Sequence, residues 1–198
     1  MRIIAGKYKK TPIKTLDGED ITRPTRDMVK EALFSSIQIY TDTTFLDLFS
    51  GSGAIGLEAL SRGANEVVFN DINRQAVKII ETNLEKVHEQ RLVLNLDYGE
   101  CLKQLEGKTF DYIYCDPPYN FLGYEDLFYC VNKYNLLNKK GIMVIEVRKD
   151  TDLNDSYFDI VKYKEKRYGI NKLLYYKKES LWLKQYILEH LILLLLDI

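Results

Sequence analysis

The sequence is poor in the residues that form disulfides and metal sites. Its three cysteines, Cys101, Cys115 and Cys130, are widely spaced and odd in number, and they form no CxxC pair. Its two histidines, His88 and His190, lie far apart in the chain. This pattern excludes a disulfide framework and a zinc site, so we expect no metal and a reducing compartment, the cytoplasm.

Long apolar runs are also absent. No run approaches the roughly 20 residues that a membrane-spanning helix requires. The first residues lead into a run of lysines rather than into the apolar segment of a secretory signal. Of the 198 residues, 46% are apolar and 29% are charged, which is typical of a globular protein with one sizeable core. We therefore expect a monomer that has no contact with a membrane.

Net charge gives little information, but the distribution of charge gives more. The formal net charge is −1. Residues 1–16 nevertheless carry five basic side chains and no acidic one, and residues 160–178 carry seven basic side chains against one acidic. Such stretches often form solvated faces. Two of them at the ends of an otherwise acidic chain favour an edge that faces phosphates, with Lys7, Lys9 and Lys10 as candidate contacts.

Short apolar runs alternate with helical patterns through the middle of the chain. Continuous apolar runs are typical of strands buried on both faces, so the pattern predicts a parallel sheet covered by helices. The runs at 157–162 and 173–177 lack a full helix between them, which favours an antiparallel pair at the end of the sheet. We predict an α/β fold with a mostly parallel, seven-stranded, Rossmann-like sheet and an antiparallel last strand. The other predicted strands are 44–49, 66–69, 92–96, 110–115 and 141–147.

The segments outside this pattern set the predicted domain organisation. Residues 1–179 form one domain, in which residues 1–20 are a basic hairpin or arm and 44–178 are the catalytic core. Residues 25–39 are a leading helix with Thr25 as a plausible cap. The tail, 180–198, is atypical because it includes an apolar run at 191–196. It is either a docking helix or non-native sequence, and the second reading is favoured because the strand pattern is complete by Lys178.

A glycine-rich segment follows the first predicted strand, Asp47-Leu-Phe-Ser-Gly-Ser-Gly-Ala-Ile-Gly56. Glycines at such a turn let the backbone approach a ligand closely before a helix begins. The spacing also fits a dinucleotide. The carboxylate of Asp47 would repel a pyrophosphate, however, and suits the cationic amino acid part of S-adenosylmethionine.

Acidic residues follow the next two strands as well. Asp71 lies about 20 residues beyond the glycines, where a carboxylate accepts the ribose hydroxyls of a nucleoside. Asp97 and Tyr98 follow the third strand and are placed to meet an adenine ring. Each aspartate alone is an ordinary turn or cap residue, but three at consecutive strand ends indicate a cofactor site. The candidate cofactor residues are Asp47, Phe49, Gly51, Ser52, Gly53, Asp71, Ile72, Asp97, Tyr98 and Asp116.

The fourth predicted strand ends in Asp116-Pro-Pro-Tyr119, our candidate catalytic loop. An exocyclic amino nitrogen is a poor nucleophile because its lone pair is delocalised. Asp116 and the carbonyl of Pro117 can accept its two N–H groups and free that lone pair for in-line attack on a sulfonium methyl. Pro117 and Pro118 fix the backbone and add no competing donor. Tyr119 can stack on the planar target.

These motifs resemble the bacterial 16S ribosomal RNA guanine-N2 methyltransferases of the RsmD type, over roughly residues 1–178. The resemblance rests on Arg2-Ile-Ile-Ala-Gly6, Arg23-Pro-Thr-Arg26, Val29-Lys-Glu-Ala-Leu-Phe34, the glycine segment continued to Gly63, and Asp116–Tyr119. It implies a class I methyltransferase fold and transfer of one methyl from S-adenosylmethionine to a guanine 2-amino group.

The resemblance also implies partners and further site residues. The partner is 16S ribosomal RNA or the assembling small subunit, and the N-terminal extension helps to grip it. Arg23, Thr25 and Arg26 are expected over the cofactor or target pocket. The chain departs from the family at Asn70 and Asn73, which flank Asp71 where members often carry acidic residues, so the ribose ligand stays open.

Two other functions fit parts of the pattern. The first is an amino-methyltransferase that acts on adenine or cytosine in DNA or on a protein glutamine. The chain lacks an obvious DNA target-recognition domain, and the glutamine enzymes usually carry Asn at the position of Asp116. The second is a non-catalytic RNA-binding assembly factor. The intact Asp116–Tyr119 loop argues against it, because binding alone does not need that loop.

Overall fold

The computed structural model describes residues 1–16 and 23–179, with the backbone alone for residues 23–26. Helices and strands alternate from β1 to β5, and three further strands follow. The helices are α1 Arg23–Phe34, α2 Ala54–Ser61, α3 Arg74–Lys86, α4 Tyr98–Gln104 and α5 Tyr124–Lys133. The strands are β1 Thr44–Asp47, β2 Glu66–Asn70, β3 Leu92–Leu94, β4 Phe110–Cys115, β5 Leu137–Arg148, β6 Ser156–Tyr157, β7 Ile160–Tyr168 and β8 Asn171–Lys178.

All eight strands form one sheet, in the order β3-β2-β1-β4-β5-β8-β7-β6. Strands β1 to β5 run parallel, and β8 pairs antiparallel with both β5 and β7. The predicted α/β sheet with an antiparallel end is confirmed. It has one strand more than expected because the run 157–162 turns sharply at Phe158, whose φ is 57°. The two residues before that turn pair with β7 as the short β6.

The helices differ from the sequence prediction at two places. Helix α1 begins at Arg23, so Thr25 lies inside its first turn rather than at its cap, and the helix ends at Phe34 instead of at residue 39. Helix α4 was not predicted. It has seven residues and buries only Cys101 and Leu102. A helix of this length is too short for a helical period to show in the sequence.

Apolar side chains fill both faces of the sheet, as the continuous runs predicted. One core cluster packs α4 and α5 against the sheet. The other packs α1, α2, α3 and the N-terminal segment against the opposite face. The three cysteines are buried and free. Among the residues described, no helix is long and apolar enough to span a membrane, and no cluster of side chains could hold a metal ion.

The predicted N-terminal arm is a hairpin that is docked on the domain. An antiparallel bridge joins Arg2 to Pro12. The fully buried carboxylate of Glu58 on α2 accepts the N–H groups of Ile4 and Ala5 at 2.7 and 3.0 Å. Gly6 has a φ of +79°, and a Cβ there would lie 1.7 Å from the carbonyl oxygen of Ser61. The hairpin is therefore packed closely against the C-terminal end of α2.

The predicted tail, residues 180–198, lies outside the described residues, and so do residues 17–22. The single-domain organisation of residues 1–179 stays a prediction.

Candidate active site

A cleft opens at the carboxyl edge of the sheet. Strand β1 pairs with β2 on one side and with β4 on the other, so the order of the strands reverses at β1. Open α/β sheets bind ligands at such a point, outside the carboxyl ends of the strands. The cleft has an empty volume of about 930 Å³, including the solvent at its mouth. Its walls come from the glycine loop, the β4 loop, the ends of β5 and β8, and α1. The cofactor candidates Asp47, Phe49, Gly51 and Ser52 thus share one cavity with the catalytic candidates Asp116 and Tyr119. Asp71, Ile72, Asp97 and Tyr98 are not among the residues that line it.

The glycine loop turns sharply between β1 and α2. Gly51 and Gly53 have φ angles of 54° and 76°, in the region that favours glycine. The N–H of Gly53 donates to the carbonyl of Ser50 at 2.7 Å and closes the turn. A Cβ on Gly56 would lie 2.2 Å from the ring of Phe69, so glycine is also needed for α2 to pack on β2. The loop backbone faces the cleft through Gly51 and Ser52.

Asp47 lies at the floor of this loop and is 1% exposed. Its Oδ2 accepts the N–H of Gly56 at 2.9 Å, whereas Oδ1 has no hydrogen-bond partner in the described part of the chain. Burial raises the pKa of Asp47 to about 7, against the opposing effect of the Gly56 N–H. A buried carboxylate oxygen without a donor fits a cationic ligand group, as the amino group of S-adenosylmethionine would be.

Asp71, at the end of β2, is held beside the glycine loop. Its Oδ2 accepts the N–H of Gly51 at 2.8 Å, and its Oδ1 accepts that of Asn73. The flanking asparagines have structural roles: Asn70 is buried and ties the ends of β1 and β3 together, and Asn73 caps α3. Asp71 is therefore the acidic side chain at the end of β2, and its contact with a ribose stays a prediction. Ile72 follows it and is exposed.

The end of β3 leads to an aromatic cluster. Asp97 caps α4 by accepting the N–H of Gly99 at 2.9 Å. Tyr98 packs on Phe49 and Phe121, with ring centroids 6.0 and 5.3 Å apart, and its hydroxyl donates to Asp126. The sequence predicted Phe49 and Tyr98 but missed the contribution of Phe121. The cluster offers an apolar wall for a ring such as adenine.

The Asp116–Tyr119 loop lies beside this cluster. The N–H of Phe121 donates to the carbonyl of Pro118 at 2.8 Å, so the turn closes without using the carbonyl of Pro117. Pro117 is buried, Asp116 and Pro118 are exposed, and Tyr119 is 69% exposed. The guanidinium carbon of Arg148 lies 5.8 Å from the centre of the Tyr119 ring. The loop is rigid at its base and presents a carboxylate and an aromatic ring to the cleft.

The structure adds cleft residues that the sequence analysis did not select, among them Glu146, Tyr114 and Asn171. Glu146 at the end of β5 is 9% exposed, and it accepts hydrogen bonds from Tyr114 on β4 and Asn171 on β8. The lone charge of Glu146 within the apolar run of β5 was a signal in the sequence. Asn171 carried no such signal, because only the fold brings it to the site.

The candidate contacts Lys7, Lys9 and Lys10 lie away from the cleft, although Met1 at the start of the hairpin lines it. The N–H of Lys7 donates to the carbonyl of Ser61, at the opposite end of α2 from the glycine loop. That helix is about 10 Å long. Lys9 and Lys10 are exposed in the same hairpin turn. The side chains of Arg23, Thr25 and Arg26 lie outside the described part of the chain.

Comparison with known proteins identifies the family of this chain. The family model described as conserved hypothetical protein 95 matches residues 1–177. The protein YlbH of Bacillus subtilis strain 168 is 33% identical over 185 residues, covering 91% of this chain and 100% of YlbH. The ribosomal RNA small subunit methyltransferase D of Haemophilus influenzae is 34% identical, over 77% of this chain and 81% of its own.

A solved structure complexed with SAH, the demethylated form of the cofactor, shares the fold. Its TM-score is 0.63 at 15% identity, over 77% of this chain and 49% of its own. The solved structure of HI0767 from Haemophilus influenzae, described as a methylase, has a TM-score of 0.75 at 30% identity, over 90% of this chain and 98% of its own. The predicted class I methyltransferase fold is confirmed, and S-adenosylmethionine is the cofactor that accords with it. The chain belongs to the conserved hypothetical protein 95 family, the RsmD family of methyltransferases, as its motifs had indicated.

Proposed function

We propose that this protein transfers a methyl group from S-adenosylmethionine to the 2-amino group of a guanine in small-subunit, 16S, ribosomal RNA. One observation carries the proposal. The glycine loop with Asp47 and the Asp116–Tyr119 loop line the same cleft. The RNA target follows the named relatives, and the 2-amino group follows the resemblance of the motifs. A cytoplasmic setting and the monomeric state belong to the same proposal.

The cofactor half of the cleft binds and orients the methyl donor. When bound, S-adenosylmethionine supplies an electrophilic sulfonium methyl. Asp47 takes the cationic amino group, the carboxylate of Asp71 accepts from the ribose hydroxyls, and the backbone of Gly51 to Gly53 gives close approach. Asp97, Tyr98, Phe49 and Ile72 would hold the adenine ring; Tyr98 packs on Phe49, and Asp97 is fixed as the cap of α4. The roles of Asp47, Phe49 and Gly51 rest on their placement in the cleft. Those of Asp71, Ile72, Asp97 and Tyr98 rest on their positions after neighbouring strands and on donor and acceptor chemistry.

The β4 loop activates the target nitrogen. The carboxylate of Asp116 and the carbonyl of Pro117 accept its two N–H groups, which turns the lone pair out of the ring system. Tyr119 stacks on the base, with Arg148 beside its ring. Asp116 accepts the proton that the nitrogen releases after methylation. Positioning and preorganised acceptors therefore provide most of the catalysis.

The test is methyl transfer from labelled cofactor to small-subunit RNA from cells that lack this gene. RNA should be offered both protein-free and assembled, and the labelled nucleoside identified. The proposal expects N2-methylguanosine from at least one form, and none with Asp116→Ala. Label in an adenine or cytosine, in DNA or in a protein glutamine would contradict it. Tight RNA binding without transfer would favour an assembly factor.

A further inference from the structure

Glu146 stands on the side of the cleft opposite the proposed cofactor residues. In the sheet, β4 separates β1 and β2, which carry Asp47 and Asp71, from β5, which carries Glu146. A smaller cavity of about 240 Å³ adjoins the main cleft. Glu146, Asp116 and Tyr119 line both cavities, so the carboxylate of Glu146 stands in the wall that the two share. This places it next to the proposed target position.

The carboxylate of Glu146 is held by two neutral donors. The hydroxyl of Tyr114 donates to Oε2 at 2.5 Å, and the amide of Asn171 donates to Oε1 at 2.6 Å. Glu146 forms no ion pair with the side chains that the structure describes. A carboxylate has about four acceptor positions, so about two are left for a ligand. A buried charge without a cation is costly, and a further donor would stabilise it.

The supporting side chains fix where this carboxylate points. Because a carboxylate only accepts hydrogen bonds, the side-chain NH₂ group of Asn171 must point toward Glu146. The Oδ1 of Asn171 is then buried without a partner among the described residues. Tyr114 is two residues before Asp116, and alternate residues of a strand lie on one face. The hydroxyl of Tyr114 therefore ties Glu146 to the strand end that carries Asp116.

We propose that Glu146 is a specificity-determining residue that accepts the N1–H of the target guanine. The inference rests on the proposed function. In guanine, N1–H is adjacent to the 2-amino group, so an acceptor next to Asp116 would meet it. Adenine and cytosine carry unprotonated ring nitrogens beside their amino groups, and a carboxylate repels such a lone pair. Tyr114 and Asn171 are positioning residues that hold the acceptor in place.

The experiment compares guanine with 2-aminopurine at the target position of small-subunit RNA. 2-Aminopurine keeps the 2-amino group but lacks the N1 proton. We expect wild-type kcat/KM to favour guanine, by about 10- to 100-fold for one hydrogen bond to a charged acceptor. Glu146→Gln should lower the guanine-to-2-aminopurine ratio at least tenfold, because its amide can donate to the unprotonated N1. Tyr114→Phe should lower the ratio by less.

The ratio separates recognition from a structural role. A variant that only loosened the fold would slow both substrates alike, and the intrinsic reactivity of each base cancels between variants. Glu106→Gln, at an exposed loop carboxylate, is the matched control and should leave the ratio unchanged. An unchanged ratio in both Glu146→Gln and Tyr114→Phe, with N2-methylguanosine as the product, overturns this inference alone. A product other than N2-methylguanosine overturns the proposed function with it.

Discussion

The two halves of the cleft are built differently. The proposed cofactor half takes its residues from consecutive strand ends, β1 to β3, and includes the glycine loop and the start of α2. The target half joins side chains from β4, β5 and β8, which are far apart in sequence. In the proposed function, the cofactor is thus bound by residues that follow consecutive strands. The target is bound by single side chains that come together only when the whole sheet has formed.

The largest expected effect is at the boundary between the halves. Asp116→Ala removes the proposed acceptor for the amino group, and kcat should fall about a hundredfold or more. The affinity for S-adenosylmethionine should change little if Asp116 acts mainly on the target. Single-turnover methyl transfer measures the first quantity and calorimetry the second. A loss of less than about tenfold in transfer would show that the loop has another role.

In the cofactor half, Asp47→Asn removes the charge proposed to bind the cationic amino group. The KM for S-adenosylmethionine should rise about tenfold or more, with a smaller change in kcat. Ser36→Ala, away from the cleft, is a suitable control. Equal KM values for wild type and Asp47→Asn would place the amino group elsewhere.

The same substitution tests the raised pKa of Asp47. The pKa is about 7 in the folded chain and near 4 when unfolded. The folded state thus holds the extra proton between these values, and the contribution of Asp47 to wild-type stability falls as pH rises from about 4 to about 7. The unfolding free energy of Asp47→Asn should exceed that of wild type by an amount that grows over this range, to about 2–4 kcal/mol. A difference that does not vary with pH, in denaturant titrations without cofactor, would contradict the burial argument.

In the target half, Tyr119→Ala removes a stacking surface. Transfer to RNA should fall about 10-fold, and Tyr119→Phe should keep most of the activity because the ring is retained. Parallel kcat/KM measurements on RNA decide the matter. Equal losses in the two variants would assign the effect to the hydroxyl and not to stacking.

The smallest effect is expected furthest from the cleft. Reversing the charge of Lys7, Lys9 and Lys10 should weaken RNA binding several-fold and flatten its salt dependence by up to about 2 in slope. The rate at saturating RNA should be unchanged, because the hairpin turn is about 10 Å from the glycine loop end of α2. Reversal of Lys103, Lys139 and Lys140 is the control. If the RNA affinity of both triple variants depended on salt with the same slope, the hairpin would be a solvated surface that does not contact RNA.

These differences explain what the sequence could predict. Asp47, Asp71 and Asp97 were selected because they lie at or just after the ends of apolar runs that a parallel sheet must align at one edge. The capping of α4 by Asp97 depends on local backbone geometry, which hydrophobic periodicity does not reveal. The docking of the hairpin depends on hydrogen bonds to Glu58, which periodicity does not reveal either. Asn171 could not be selected, because its contact with Glu146 exists only after β8 inserts beside β5. Motifs that are contiguous were predictable, and contacts that depend on strand order were not.

The close fit of the N-terminal hairpin to α2 has a consequence for dynamics. Backbone N–H groups of Ile4, Ala5, Lys7 and Tyr8 donate across to Glu58 and Ser61 of α2. Opening the hairpin therefore leaves the fully buried Glu58 carboxylate without two of its donors. In native-state hydrogen exchange, these four amides should be protected together with α2, as one cooperative unit. The turn of the hairpin and the glycine loop then lie at opposite ends of α2, and the side chain of Asn83 also ties Lys14 of the hairpin to Ser52 of the glycine loop.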